Sequence, residues 1–387
     1  MRKLGTEPLL LLASICFPAL VARGQATRPD ETRSPEVHAD RKVTFRVRAP
    51  KASEVTVTGD WMATGAKEAM TKGDDGVWSV TLGPLPAGPD IYNFAIDGVA
   101  VPDPVNPRVK LRARSSASLV EVPGDGSELW QPADVPHGLV EIVWQKSDVL
   151  HGETRAFRVY TPPGYASDPP SARYPVLYLL HGSNDTAAGW TDVGRANFIL
   201  DNLIAQKRAT PMIVVMPWGH AVPFDAPREA QAKNTSVYQE YLLRDVIPEV
   251  ERRYRVAPGR ESRAIVGLSM GGGQSIEIGL GNLDRFGAVG AFSAAVPADF
   301  ETRFKSLLDD PDGTSAKLAV LWIGCGRQDG LFPRSQKLSE VLTAHHIRHT
   351  FHPTDGVHNY AVWRQYLGEI APLLFRTTGK GGPPAGK

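Results

Sequence analysis

The chain has almost no cysteine. Cys16 and Cys325 are the only two in 387 residues, and Cys16 falls in an N-terminal apolar run. A chain that lost this run would keep one thiol and have no internal disulfide, so its stability must come from core burial. Cys325 ends the apolar run Val320-Leu-Trp-Ile-Gly-Cys325, where a small buried strand residue is expected rather than a reactive thiol. Charge of one sign is lacking too. Lys+Arg 43 against Asp+Glu 42 leaves +1, which excludes the basic field that drives binding to nucleic acid or anionic membrane. Beyond the N-terminal run no segment is long and apolar enough to span a bilayer. There is no H-E-x-x-H, no paired Cys/His cluster and no phosphate-binding glycine loop. Neither a metal nor a cofactor is therefore expected.

What remains is an ordinary globular composition, 42% hydrophobic and 22% charged, at a length that suggests more than one domain. Arg2 and Lys3 precede an apolar stretch from Pro8 to Val21, and small residues follow at Gly24 and Ala26. This reads as an export signal over 1–26, cleaved after Ala26, and implies a secreted or periplasmic protein. A membrane anchor is the alternative, against which the run is short and carries Pro18. Polar, Pro-containing residues 27–40 read as a flexible leader, and 377–387 as a disordered tail.

Residues 41–122 alternate apolar and polar in short runs: Val43-Thr-Phe-Arg-Val47, Val55-Thr-Val-Thr58, Val77-Trp-Ser-Val-Thr-Leu82 and Ile91-Tyr-Asn-Phe-Ala-Ile96. Turn formers separate them at Gly59-Asp60, Gly73 to Gly76, Pro84 to Pro89 and Asp97-Gly98, the pattern of a β-sandwich. The stretch resembles the immunoglobulin-like early-set domains grouped with family-48 carbohydrate-binding modules. Phe45-Arg-Val-Arg-Ala-Pro50, Val57-Thr-Gly-Asp-Trp61, Gly76-Val-Trp78, Tyr92-Asn-Phe94 and Asp103-Pro-Val-Asn106 carry that resemblance. Trp61 and Trp78 either stack on sugar rings or fill the sandwich core and its interface.

A Gly/Pro-containing linker, 123–138, leads to an α/β pattern over 139–376. Val140 to Trp144 and Ala156 to Tyr160 read as antiparallel edge strands. Pro175 to Leu180, Met212 to Met216, Ala264 to Gly267 and Leu318 to Ile323 are uniformly apolar, as parallel strands covered on both faces are. Helical stretches lie at Ala196 to Gln206, Tyr238 to Arg253, Gly272 to Gly279 and Ser335 to His345.

Gly267-Leu-Ser-Met-Gly271 follows one of these strands and precedes a helix. This is G-x-S-x-G in a strand–turn–helix context, with Ser269 at the apex as nucleophile and its neighbours small because the turn is crowded. A nucleophilic serine needs a base and the base an orienting acid, in the chain order Ser, acid, His. Asp329, in Gly326-Arg-Gln-Asp329 just after a buried strand, is the candidate acid. Asp355 is its rival; Asp309, Asp310 and Asp312 precede that strand and lie at its wrong end. His358, between the segment His349 to His352 and a final helix from Tyr360, is the candidate base. The oxyanion hole is expected from the backbone N–H groups of Met270 and Ser183, the latter in His181-Gly182-Ser183 after Leu180. His181 is expected to brace that loop. His220 and Trp190 are candidates to contact substrate; for Trp190 a core role is equally open.

These motifs, with Tyr160-Thr-Pro-Pro-Gly-Tyr165, Tyr174 to Gly182, Val214-Val-Met-Pro217 and Gly356-Val-His358, resemble the esterase-D superfamily. The nearest branch is carbohydrate esterase family one, the feruloyl and acetylxylan esterases. The resemblance implies an α/β-hydrolase fold, an α/β catalytic domain preceded by an immunoglobulin-like β-sandwich, and the triad Ser269, Asp329 and His358. It departs at Trp218, a third candidate to contact substrate, where many relatives have Asn. Three functions follow as expectations. The first is a serine carboxylic-ester hydrolase, a feruloyl or acetylxylan esterase acting on plant polysaccharide, its substrate an ester on polysaccharide or a small molecule. The second is a siderophore esterase of the enterochelin type, with Arg195, Arg228 and Arg327 as cationic contributors. The third is a carbohydrate-binding protein with an inactive esterase domain. An acyltransferase is a variant of the first.

Overall fold

The structure is a computed structural model that describes residues 32–63 and 65–376. The expected export signal and C-terminal tail lie outside the described residues.

Two antiparallel sheets form the sandwich. One runs in the order Glu36–Val37, Val43–Arg48, Val77–Leu82, Thr71–Lys72. The other runs Glu68–Ala69, Val55–Gly59, Gly88–Ile96, Ser116–Val122, Val109–Leu111, with Val99–Val101 paired to Gly88–Ile96. Alternation does its work here. Val43, Phe45 and Val47 turn inward with Val55, Val57, Tyr92 and Phe94 to form one apolar core. Trp61 stacks on Phe45 with ring centres 5.4 Å apart, and the Trp78 indole N–H donates to the Ala49 carbonyl at 2.9 Å. Both tryptophans thus serve the sandwich interior. The expected flexible leader differs in its second half. Glu36 and Val37 pair with Thr44 and Val43, and the Ser34 hydroxyl accepts the Arg46 N–H at 3.0 Å. An open strand edge leaves backbone groups to be satisfied, and the leader supplies partners for them.

Eight strands form the second sheet: β1 (Leu139–Lys146), β2 (Thr154–Thr161), β3 (Val176–Leu180), β4 (Ile213–Met216), β5 (Arg263–Leu268), β6 (Ala288–Phe292), β7 (Val320–Gly326) and β8 (Thr350–Thr354). Their order is β1-β2-β4-β3-β5-β6-β7-β8. Only the β1–β2 and β2–β4 pairings are antiparallel. Apolar layers cover both faces. Tyr178, Leu180, Ile265 and Val289 belong to one, with helix α3 (Phe332–Ala344). Leu177, Leu179, Val266 and Phe292 belong to the other, with helices α1 (Ala196–Ala205) and α4 (Tyr360–Ile370). Ile91 and Ala117 of the sandwich enter this second layer, so the sandwich packs directly on the α/β body. Arg364 of α4 sits in the seam, 1% exposed. It donates to the carbonyls of Pro89 at 2.9 Å and Val193 at 3.0 Å.

The α/β strands and helices lie where the apolar runs put them, with three instructive differences. Strand β6, Ala-Val-Gly-Ala-Phe, was not anticipated, because its small residues blunt the apolar signal. They are small because space is short: a Cβ on Gly290 would come within 2.6 Å of Ile370. The helix expected over Tyr238 to Arg253 is Asn234–Tyr241, a π turn at Leu242–Val246, then Ile247–Arg253. Pro248 has no N–H for the preceding turn, so the ladder widens before it. The 123–138 linker is pinned. Asn202 on α1 donates to the carbonyls of Glu128, Leu129 and Gln131 at 2.9–3.1 Å, and Asp201 accepts the Gly138 N–H at 3.0 Å. No helix among the described residues is long and apolar enough to cross a membrane.

Candidate active site

From β3 the chain passes to β4 on one side and returns to β5 on the other. In such a sheet, a crevice opens beyond the strand C-termini where the winding reverses. Leu180 of β3 lies level with Gly267 of β5. The loop His181-Gly182-Ser183 and the turn at Ser269 therefore emerge side by side at that crevice.

Ser269 joins β5 to helix α2 (Met270–Gly281) with φ 54° and ψ −117°. A non-glycine residue there stores roughly 1–3 kcal/mol of backbone strain, which the surroundings must hold. Its N–H donates to the Phe292 carbonyl at 2.8 Å, and its own carbonyl accepts the N–H groups of Gly273 and Ala295, both at 3.0 Å. The flanking glycines are required by close approach. A Cβ on Gly267 would lie 2.3 Å from the Gly271 carbonyl oxygen, and one on Gly271 would lie 2.5 Å from that of His181. The N-terminus of α2 adds partial positive charge beside the serine.

His358 lies in the loop between β8 and α4. Its Nδ1 is 2.8 Å from Asp329 Oδ2, in the turn after β7. Asp329 is buried, and its other oxygen accepts the Leu331 N–H at 2.8 Å. Burial alone would raise its pKa. The bond and charge of His358, with bonds from Leu331 and Ser293, outweigh burial and hold the carboxyl below its ordinary value. An ionised Asp329 fixes the proton of His358 on Nδ1 and leaves Nε2 for a second partner. Asp355, the rival acid, is almost wholly exposed and lies 3.6 Å from Arg327. Asp310 instead caps the helix Pro311–Lys317.

Ser269, His358, Gly182 and Ser183 line one cavity. Its far wall comes from the sandwich: Asp60, Ile91, Lys110 and Arg112. Sequence reasoning missed these four, since nothing in a β-sandwich pattern marks which loop faces a neighbouring domain. Burial pushes the Asp60 carboxyl up to about 6 against the pull of Arg112.

Ser183 and Met270 also line an adjoining cleft with Arg114, His220 and Phe224. The His220 ring lies 4.5 Å from that of Phe224. Burial, then the neighbouring His181, push His220 down to about 4, so it is neutral. The other two candidate contact residues lie elsewhere. Trp190 is 1% exposed, and its indole N–H donates to the Leu180 carbonyl at 3.0 Å. It packs edge-on to Phe292 and Tyr360, beneath the crevice. Trp218 lies under the Arg155 guanidinium, 5.7 Å from it. His181 does brace its loop. Its Nε2 accepts the Gly219 N–H at 2.9 Å and its Nδ1 is 2.8 Å from the Gly182 carbonyl. Burial keeps its pKa low. Among the described residues no group of three or more His, Cys, Asp or Glu side chains is arranged to hold a metal.

Residues 147–374 match the esterase family model described as "Putative esterase". Residues 32–110 match that of carbohydrate-binding module 48, the isoamylase N-terminal domain. An endo-1,4-beta-xylanase/feruloyl esterase of Xylanibacter ruminicola is 29% identical over 350 residues, 88% of this chain and 46% of that protein. An esterase of Mycobacterium tuberculosis is 31% identical over 100 residues, 26% of this chain and 20% of that protein. The chain thus spans less than half the length of these curated relatives. Among solved structures, a ferulic acid esterase is 28% identical with TM-score 0.52, covering 61% of this chain and 97% of that one. An enterochelin esterase of Shigella flexneri has TM-score 0.65 at 18% identity, covering 88% and 93%, and bears on the fold alone.

Proposed function

This chain belongs to the esterase family, and on that premise we propose that it is a secreted serine carboxylic-ester hydrolase that removes feruloyl or acetyl groups from plant polysaccharide. The observation that carries the chemistry is Ser269 at a strained apex, sharing one cavity with His358, whose Nδ1 is 2.8 Å from Asp329. In the proposed mechanism His358 Nε2 takes the Ser269 hydroxyl proton as Oγ attacks the ester carbonyl carbon. The N–H groups of Met270 and Ser183 hold the tetrahedral oxyanion, each donor worth about 3–4 kcal/mol in the transition state. His358 returns the proton to the departing alcohol. Water, deprotonated by His358, then attacks the acyl-Ser269 ester; the acid leaves and Oγ regains its proton. Asp329 stays ionised and holds the imidazole in the required tautomer.

The choice of substrate rests on the feruloyl esterase named among the relatives and on the carbohydrate-binding-module match. Export rests on the N-terminal segment; a mature protein beginning after Ala26 in the medium or periplasm would support it. A second reading has its own observation. Arg112 in the cavity and Arg114 in the adjoining cleft suit an anionic ester such as an iron–catecholate. Of the three arginines expected for this role, Arg195 is engaged with Glu121 and Arg327 with Asp355, and Arg228, exposed on the helix Arg228–Gln231, lines neither the cavity nor the cleft.

The test is a hydrolysis screen of the purified protein and its Ser269→Ala variant on methyl ferulate, p-nitrophenyl acetate, acetylated xylan and iron-free enterobactin. Ser269-dependent release of ferulate or acetate from the plant substrates supports the first reading. Activity on enterobactin alone moves the protein to the second. No Ser269-dependent hydrolysis of any ester leaves a binding protein with an inactive domain.

A further inference from the structure

We infer that Lys110, a residue of the sandwich, is a positioning residue for the ester hydrolysis: it holds the loop that carries Ser183 in its working geometry. The inference rests on the proposed role of Ser183 as an oxyanion donor. Lys110 sits on the strand Val109–Leu111 with its side chain 2% exposed. A buried ammonium is costly unless paired and hydrogen-bonded. Its partner is the carboxylate of Asp185, two residues beyond Ser183. The same carboxylate oxygen accepts the Thr186 N–H at 2.7 Å. The other accepts the Tyr360 hydroxyl at 2.5 Å, two residues beyond His358.

One buried carboxylate therefore joins three segments: the sandwich edge, the loop carrying Ser183 and the loop carrying His358. The loop is closed on its own side by the Asp185 N–H bonded to the Gly182 carbonyl at 3.1 Å. A second tie to the sandwich runs from the Ala113 N–H to the Asn184 carbonyl at 3.4 Å. The base loop is tied as well, by Asn359 donating to the Asp60 carbonyl at 3.0 Å. Packing crowds the carboxylate on the Gly189 side, where a Cβ would come within 2.3 Å of Asp185 and 2.4 Å of the Tyr360 hydroxyl. Without the Lys110 ammonium, Asp185 is a buried anion lacking its main counter-charge. It must turn toward water, and the Ser183 N–H turns with its loop. An oxyanion donor acts in the transition state more than in the ground state, so its loss falls on kcat rather than KM.

The experiment compares Lys110→Met with Glu121→Gln in the full chain. Glu121→Gln weakens another sandwich contact, the ion pair to Arg195, and Glu121 does not line the cavity. Steady-state hydrolysis of p-nitrophenyl acetate and Tm are measured for both. With one donor displaced rather than deleted, Lys110→Met is expected to lower kcat about 10- to 100-fold with KM within about threefold. Glu121→Gln lowers Tm and leaves kcat unchanged. A folded Lys110→Met variant with wild-type kcat overturns the inference, whatever its Tm. If that variant does not fold, Tyr360→Phe keeps the ion pair and the ring but removes one bond to Asp185. A severalfold loss of kcat supports the inference there, and no loss overturns it. A wild type without Ser269-dependent hydrolysis would fail the esterase reading first; Ser269-dependent hydrolysis indifferent to Lys110 fails this inference alone.

Discussion

The interior of the sandwich and the seam where it meets the eight-stranded sheet are built from opposite chemistry. Inside, Phe45, Trp78, Tyr92 and Phe94 pack with aliphatic neighbours. The polar groups there close on themselves: the Tyr92 hydroxyl donates to Asp103 at 2.7 Å and accepts from Asn106 at 3.0 Å. At the seam charged side chains are buried beside the apolar Ile91 and Ala117. Lys110 pairs with Asp185, and Arg364, which burial pushes down to about 10, lies near Asp90, which burial pushes up to about 7. Apolar burial is non-directional and folds a domain without fixing what it faces. Buried ion pairs add little net stability, yet removing one partner is expensive, so they fix position. Every aromatic side chain of the described sandwich residues is buried or half-buried. The sandwich thus turns its rings inward and its charges toward Ser269, an arrangement unlike an aromatic platform for sugar rings.

The sharpest tests start at the site. Ser269→Ala is expected to lower kcat by roughly a millionfold, with Tm unchanged, in single-ester kinetics. Asp329→Asn should cost about 10⁴ in kcat with the fold intact, because His358 then takes the wrong tautomer. Asp355→Asn should be near wild type, and the opposite ranking would move the acid to Asp355. Moving into the sandwich, Phe45→Ala should destabilise it by about 3–5 kcal/mol through the cavity it leaves. Denaturant titration followed by tryptophan fluorescence and by residual activity should then show both losses together. If activity outlives the fluorescence transition, the seam does not couple the two regions.

The smallest effect concerns the charges of the seam. Asp90 has its folded pKa raised from an ordinary 3.8 to about 7. Between these values the native state holds a proton that the unfolded chain has lost. The stability from this group is therefore full below about pH 4, falls as pH rises, and levels off above about pH 7. Asp90→Asn lacks this dependence. Its Tm relative to wild type should climb between pH 4 and 7 and stay flat above. A pH-independent difference would mean that Asp90 remains ionised in the seam.

Much of this was legible along the chain. Uniform apolar runs located β3, β4, β5 and β7, because strands covered on both faces admit few polar residues. The G-x-S-x-G motif located the strained turn, because only glycine fits where backbone crowds backbone at Gly267 and Gly271. Asp329 was favoured over Asp355 by its place after β7, and the geometry joins it to His358. Other assignments had no such local signature. Trp190 reads equally as a contact or a core residue, and its burial under the crevice emerges only once α4 and β6 are packed around it. Strand β6 was hidden because its small residues answer to the helices crossing it rather than to its own period.

By itself the sequence determined most of the elements, the two architectures and the order of the candidate Ser, Asp and His, since propensity, alternation and turn chemistry act over a few residues. Only the tertiary structure decided that Asp60, Lys110 and Arg112 share a cavity with the serine, that Ser34 to Val37 and the linker are pinned, and that one carboxylate at Asp185 joins three segments. Those depend on contacts between residues as far apart as Asp60 and Asn359. No local pattern encodes such contacts, because their energy exists only after both domains have folded and the seam between them has lost its water.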